Sequence, residues 1–144
     1  MELIAFKKNL NDYSFKQFDK NSRSSFSYWY NHWKAYNLVA IALGVWKPKY
    51  LLHDIEKPWL MLCWKDYKRV QAWHRTHNRH HFGYQGSKGY DAIGMIIDWE
   101  CSRFTKNAAQ LNARDQANKE LDTHPERAFF INNQIMPLLD KVGL

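Results

Sequence analysis

Four of the seven histidines in this chain lie within eight positions, from His74 to His81. Neutral imidazole is the commonest metal ligand among protein side chains, so the cluster suggests a metal site. If the segment is helical, His74, His77 and His81 stand at i, i+3 and i+7 on one face, with His80 beside it. The alternative is a solvated helix end, where histidines interact favourably with the helix dipole.

Three further places in the sequence carry residues of the same chemistry. His32 lies in one predicted helix, His53 and Asp54 are adjacent in a second, and Asp98 follows the apolar residues of a third. Each also has an ordinary structural interpretation, as a hydrogen-bonded histidine, a capping aspartate beside an exposed histidine, or an ion pair with Arg103. Histidine nitrogen and carboxylate oxygen are together the ligand set of hydrolytic Zn, Mn, Fe or Mg sites. A helical bundle can direct such ligands into its interior.

Hydrophobic periodicity predicts the helices that would position these residues. The predicted helical segments are 24–43, 49–57 between two prolines, 59–81, 90–109, and a final helix at about 125–142 that Pro137 kinks. Residues 82–89 form a glycine-containing loop, and residues 110–123 are either an exposed helix or a linker. Residues 1–20 are predicted as a short strand or loop entering a helix. The predicted class is all-α, with a single compact helical bundle over residues 1–144.

Composition limits the classes of function. A chain of 144 residues is long enough for one domain with its own core. The formal net charge of +7 indicates an anionic partner, such as a phosphate-containing small molecule, a nucleotide or nucleic acid. Cys63 and Cys101 form no CxxC motif, which argues against a disulfide scaffold and favours a cytoplasmic protein. The sequence has no apolar run of membrane-spanning length and no signal-peptide pattern, so we expect no membrane association.

The order His … His-Asp … Asp resembles the signature of the HD-domain metal-dependent phosphohydrolases, which are all-helical. The run Leu51-Leu52-His53-Asp54-Ile55-Glu56-Lys57-Pro58 is similar to the His-Asp-Ile-Gly-Lys-Pro run of several HD branches, with Glu56 in place of glycine. Histidines between the His-Asp pair and the last Asp, including a His-His doublet, resemble the branches that hold two or three metals.

A narrower resemblance covers about residues 28–103. It is carried by His53-Asp54 with Lys57, Trp73-His74, Asn78-Arg79-His80-His81 and Met95-Ile96-Ile97-Asp98-Trp99. These motifs resemble a family of phage and bacterial proteins, the domain of unknown function numbered 5662, which is related to the HD group. That family implies a fold and a metal site but no established substrate.

The resemblance also implies roles for individual residues. The primary ligands of a divalent metal (Mn, Fe, Zn or Mg) would be His32, His53, Asp54 and Asp98, with Asp54 bridging to any second ion. The candidates for that second ion are His77, His80 and His81, and His74 would support them from outside the coordination sphere. The candidates to hold a phosphate oxygen are Lys57, Arg75 and Arg79. The departure at Glu56 changes the phosphate side of the motif.

The function implied is that of a metal-dependent phosphohydrolase acting on a nucleotide or other phosphate ester by metal-activated water. Asp54, Lys57, Arg75 and Arg79 would be its catalytic residues. The alternative is a non-catalytic, phage-type binding or inhibitor protein on an HD-like scaffold, contacting nucleic acid or a host protein. The basic charge and abundant aromatic residues suit such contacts. A purely structural metal site ranks last, because such sites are usually rich in cysteine.

Overall fold

The computed structural model describes residues 25–105 and 111–144, and within these ranges every regular element is helical. The helices are α1 (Ser25–Ala42), α2 (Glu56–Cys63), α3 (Tyr67–His77), α4 (Ala92–Thr105), α5 (Ala113–Thr123) and α6 (128–142). Short 3-10 helices, Pro48–Leu52 and Pro125–Arg127, precede α2 and α6. The predicted all-α bundle is confirmed. None of the described helices is long and apolar enough to cross a membrane.

Helix α4 forms the middle of the bundle because it contributes to both parts of the core. Ten of its 14 residues are buried. Ile97 and Cys101 pack in one cluster with the apolar side of α1, and Met95 and Ile96 pack in another with α5 and α6. Burying each large aliphatic side chain contributes about 1.5–3 kcal/mol. These two clusters fix the rotation of α4 about its axis, and therefore the position of Asp98.

The segment around the His-Asp pair differs from the predicted helix 49–57. A 3-10 helix ends at Leu52, and His53 and Asp54 then form a turn in which Asp54 has a positive φ of 56°. Pro58 lies in the first turn of α2 and does not end a helix. Proline suits this position because its fixed φ is helical and its missing N–H would have no partner there.

The predicted single helix 59–81 is wrong, because two breaks interrupt it. The first follows α2, where Trp64 is extended and Asp66 caps α3 by accepting a hydrogen bond from the Lys68 N–H at 3.0 Å. The second is at Asn78, which is extended and ends α3.

His80 and His81 therefore follow α3 and do not belong to it. The expectation that His74, His77 and His81 share one helical face is wrong for the same reason. The side chain of Asn78 donates to the carbonyl oxygen of His74 at 3.0 Å, which satisfies one of the free carbonyls at the helix end.

The C-terminal half resolves the alternatives that the sequence left open. Residues 113–123 are a helix, capped by the Asn112 side chain, and not a linker. Helix α6 contains a π-helical turn, Ile131–Ile135, immediately before Pro137, which is where the predicted distortion lies. The predictions for residues 1–20, for a helix start at Ser24 and for helix residues 106–109 lie outside the described residues.

Candidate metal centre

The turn that carries the His-Asp pair is held against α1 by side chains of that helix. Trp29 and Trp33 donate their indole N–H groups to the carbonyl oxygens of Asp54 (2.8 Å) and Leu51 (2.9 Å). Asn37 donates to the Tyr50 carbonyl oxygen at 3.2 Å. Side chains of α1 thus supply hydrogen bonds to carbonyl oxygens of the short 3-10 helix and of the turn that follows it.

Both residues of the pair are buried, and their side chains have fixed positions. The imidazole of His53 stacks on the ring of Tyr36 with 3.5 Å between ring centroids. Asp54 is 2% exposed, and its positive φ directs its backbone away from the helical path. A non-glycine residue with such a φ is uncommon and costs of order 1–3 kcal/mol, so the surrounding contacts must hold it there.

One group of three ligand atoms joins α1, the turn and α4. The Nε2 atom of His32 lies 3.0 Å from an Asp98 carboxylate oxygen and 3.3 Å from the Nε2 atom of His53. His53 Nε2 is 3.9 Å from the same Asp98 oxygen. Nitrogen ligands at about 2.0–2.1 Å from a tetrahedral zinc ion would be separated by about 3.3 Å. The three atoms therefore have the spacing of ligands to one ion.

A second group surrounds Asp54. Its Oδ1 atom lies 3.3 Å from the Nε2 atom of His74 and 3.4 Å from that of His80. His74 Nε2 is in turn 2.8 Å from the Nε2 atom of His81. Oδ1 of Asp54 is also 3.4 Å from His53 Nε2 in the first group. Asp54 therefore stands between the two groups, as a bridging carboxylate would.

Two atoms of these groups are buried without a hydrogen-bond partner among the described residues. They are Oδ1 of Asp54 and Nε2 of His80, which approach each other to 3.4 Å. Burying a polar atom without a partner costs free energy, and an ionised carboxylate oxygen costs most. A divalent cation between them would satisfy both atoms. The donor set of imidazole nitrogens and carboxylate oxygens thus fits a metal such as Zn, Mn or Fe.

The electrostatics of the pocket favour the protonation states that ligands need. Burial would raise the pKa of Asp54, but the ionisable groups around it, the nearest of which is the Lys57 ammonium, outweigh burial and hold this pKa well below its ordinary range. Asp98 behaves likewise, because His32 outweighs its burial and holds its pKa well below its ordinary range. Lys57 places its ammonium 2.6 Å from Oδ2 of Asp54. Both carboxylates are therefore ionised at neutral pH.

Most of the histidines in the site are neutral because they are buried. Burial disfavours the imidazolium form and lowers the pKa of His53 and His74, and that of His81 to about 3. His80 is the exception, because Asp54 and Asp98 outweigh its burial and raise its pKa.

The structure does not bring every predicted site residue to the cluster. His77 is exposed and stacks on Trp73 at 4.0 Å, and it contacts the Trp73 carbonyl oxygen through Nδ1. Arg79 is also exposed and donates to the Gly89 carbonyl oxygen at 2.7 Å. The remaining predicted metal residues converge: His32, His53, Asp54, His80, His81 and Asp98. The predicted phosphate residue Lys57 is also buried here, paired with Asp54.

Two residues have a closer part in the site than the sequence predicted. His74, expected only as a supporting residue, presents Nε2 to Asp54 and to His81. Glu56 places Oε1 2.5 Å from Nδ1 of His74. The one sequence signal for Glu56 was that it stands where the similar HD run has glycine. Nothing in the neighbouring sequence indicated that its partner would be His74, which is 18 residues away.

A cavity of about 200 Å³ opens beside the cluster. Its wall includes His81 and Asp98 from the cluster, and Arg75 from α3. The other lining residues are Trp99, Ser102, Leu111 and Gln116. Arg75 makes no ion pair within the described residues. The guanidinium of Arg75 therefore lines the same cavity as His81 and Asp98.

Comparison with protein-family models, with curated proteins and with solved structures found no match. A functional assignment for this chain therefore depends on its fold and on the geometry of the cluster.

Proposed function

We propose that this protein is a metal-dependent phosphohydrolase that acts on a nucleotide or another phosphate ester. One observation carries the proposal: carboxylates and histidines from four parts of the chain converge, and Oδ1 of Asp54 and Nε2 of His80 are buried there with no hydrogen-bond partner in the part of the chain that the structure describes. Carboxylate and imidazole ligands are those of hydrolytic metal sites, whereas structural sites are usually rich in cysteine.

The residues divide into two sets of ligands. His32, His53 and Asp98 would hold one divalent cation. His80 and Asp54 would hold a second, together with His74 and His81, and Asp54 would contact both. When bound, such cations lower the pKa of a water and polarise a phosphoryl oxygen. Lys57 keeps Asp54 ionised and oriented through its 2.6 Å contact.

The cavity beside His81 and Asp98 supports the substrate side of the proposal. At about 200 Å³ it has room for a phosphoryl group and a small part of the ester, while a larger remainder would extend into solvent. The guanidinium of Arg75 would donate to phosphoryl oxygens and stabilise the charge that spreads over them during transfer. The net charge of +7 favours approach of an anionic substrate.

The experiment compares metal content and phosphate release in wild type and two variants, all purified without exposure to chelator or nickel resin. Wild type is expected to carry about one or two equivalents of a transition metal and to release phosphate from members of a nucleotide and phosphate-ester panel. The double variant His53→Ala/Asp54→Asn is expected to lose both, because it removes two ligands. Asparagine is used at position 54 because it tolerates the positive φ there, and circular dichroism checks that the variant is folded.

His77→Gln is the matched control, since His77 belongs to the same segment but lies outside the cluster. It should keep the metal and the activity of wild type. Phosphate release that persists in the double variant would overturn the proposal. So would a metal-loaded wild type that hydrolyses no ester in the panel but binds nucleic acid in a salt-sensitive, chelator-resistant way, which is the behaviour of the non-catalytic alternative.

A further inference from the structure

Glu56 makes a partly buried contact with one histidine of the candidate metal centre. It is the first residue of α2, and its Oε1 atom lies 2.5 Å from Nδ1 of His74 on α3. The His74 side chain is 1% exposed and that of Glu56 is 23% exposed. Asn78 donates to the same Oε1 atom at 2.9 Å. Two donors from the end of α3 therefore converge on one carboxylate oxygen.

The contact determines which nitrogen of His74 carries its proton. An ionised carboxylate only accepts hydrogen bonds, so Nδ1 of His74 must be the protonated nitrogen. The same Oε1 atom accepts from the Asn78 amide at 2.9 Å, as expected of an acceptor oxygen. The lone pair of His74 is then on Nε2, which lies 3.3 Å from Asp54 Oδ1 and 2.8 Å from His81 Nε2.

Without Glu56, the Nε2-protonated tautomer of His74 would have a hydrogen-bond donor for its unprotonated Nδ1. The side-chain amide of Asn78 lies 3.0 Å from Nδ1 of His74 and is able to donate to it. In that arrangement Nε2 of His74 would carry a proton toward the cluster and could not bind a cation. Glu56 decides between the two tautomers, because it accepts from both His74 and Asn78.

We propose that Glu56 is a positioning residue that holds His74 in the Nδ1-protonated tautomer and thereby makes Nε2 of His74 a metal ligand. Oε1 of Glu56 is occupied by two hydrogen bonds, so this oxygen acts through His74 and does not bind the ion. Carboxylates that orient a ligating histidine in this way typically change metal affinity about 10–100-fold. The inference rests on the metal centre of the proposed function and does not require phosphate hydrolysis.

The test uses zinc, which is diamagnetic, and does not depend on activity. Nitrogen NMR of the histidine side chains reports whether His74 is protonated at Nδ1 or Nε2, before and after zinc is added. In wild type we expect a proton on Nδ1 in both states and a zinc-dependent shift of the His74 Nε2 resonance. Zinc affinity is measured in parallel by competition with a chelator of known strength.

Glu56→Gln and Glu56→Ala are the informative variants. We expect zinc binding to weaken by about 10–100-fold in both, because both remove the carboxylate charge. His74 should also shift toward the Nε2-protonated tautomer in Glu56→Ala, which has no acceptor at this position, whereas the glutamine amide oxygen can still accept. Glu126→Gln is the matched control, because Glu126 also pairs with a histidine, His124 at 3.0 Å, on the exposed surface. Its zinc affinity should equal that of wild type. Glu56→Gln keeps nearly the same volume, so it remains informative if the alanine variant fails to fold.

Three results would overturn the assignment. They are an Nε2-protonated His74 in wild type, wild-type zinc affinity in Glu56→Gln, or a wild-type protein that binds no zinc. If zinc binds and the Glu56 variants weaken it while no ester is hydrolysed, the positioning role of Glu56 stands and only the proposed function fails. Zinc binding and ester hydrolysis, measured on the same proteins, therefore test the two proposals independently.

Discussion

Asp54 is the residue on which the geometry of the cluster depends most. Its side chain contacts Lys57 and four histidines, while its backbone has a φ of 56°. The indole of Trp29 and the backbone N–H of Lys57 both donate to its carbonyl oxygen, at 2.8 and 3.0 Å. Strained backbone of this kind concentrates at functional sites, where surrounding contacts maintain it. This strain is a reason to regard the turn as part of the site and not merely as a connection.

The buried histidines predict how the metal-free protein responds to acid. The pKa of His81 is about 3 in the folded protein and 6.5 in the unfolded chain. Because the folded value is the lower one, its contribution to stability is present above about pH 6.5 and is lost as pH falls toward 3. For His81 alone, the free energy of unfolding should drop by about 2 kcal/mol between pH 7 and pH 5. Urea denaturation of chelator-treated protein measures this change.

A His81→Asn variant serves as the control for that pH dependence. It removes the titrating group, so its stability should change less between pH 7 and pH 5 than that of wild type. His53 and His74 contribute in the same direction as His81, and the raised pKa of His80 contributes in the opposite one. An equal loss in wild type and His81→Asn would contradict the assignment to His81.

At the scale of helices, a buried glutamate joins α4 to the start of α5. Glu100 is 0% exposed and accepts a hydrogen bond from the backbone N–H of Ala113 at 2.9 Å. Its other oxygen accepts from Arg103 at 2.6 Å. Ala113 is the first residue of α5, whose N–H would otherwise lack a partner at a helix end. One carboxylate therefore stabilises a helix start and pairs with a partly buried guanidinium.

Replacing Glu100 with alanine should lower the free energy of unfolding by about 3 kcal/mol, because it leaves a buried N–H without its acceptor and removes the carboxylate from Arg103. Chemical denaturation measures the loss. Asp140→Ala is the control, since Asp140 also pairs with an arginine, Arg114, but on the surface, where such pairs contribute about 0–1 kcal/mol. Similar losses in the two variants would show that burial of Glu100 does not have the expected effect.

At the scale of the whole molecule, the ligand residues link separate parts of the chain. His32 comes from α1, His53 and Asp54 from the turn, His74 from α3 and Asp98 from α4. The unfolded chain does not hold these residues together, so a cation that binds them binds mainly the folded state. Metal binding should therefore stabilise the bundle as a unit.

A metal at about 100 times its Kd should raise the free energy of unfolding by about 2.7 kcal/mol. For a chain of this size that corresponds to a rise in Tm of roughly 5–10 °C. Thermal unfolding of chelator-treated protein, with and without added Mn or Zn, measures it. The His53→Ala/Asp54→Asn variant should show no rise. An equal rise in the variant would mean that the metal binds elsewhere.

The sequence was sufficient for the fold class and for most of the residues that converge in the candidate site. Helical periodicity is a local property, and it predicted α1 nearly to its ends and the apolar side of α4 that places Asp98. The expectation that His32, His53, Asp54 and Asp98 converge came from their residue types and from the resemblance of their order to the HD signature. The sequence did not locate the breaks at Trp64 and Asn78, since these depend on side-chain caps and not on periodicity.

Tertiary structure alone decided which of the clustered histidines join the site. His77 is turned toward Trp73, while His80 and His81 reach the cluster because the chain leaves the helix at Asn78. His74 became a ligand candidate because Glu56, from a different helix, contacts its far nitrogen. Spacing along one helix is a property of consecutive residues. The protonated nitrogen of a buried imidazole is determined instead by what packs against it, and those neighbours are distant in the sequence.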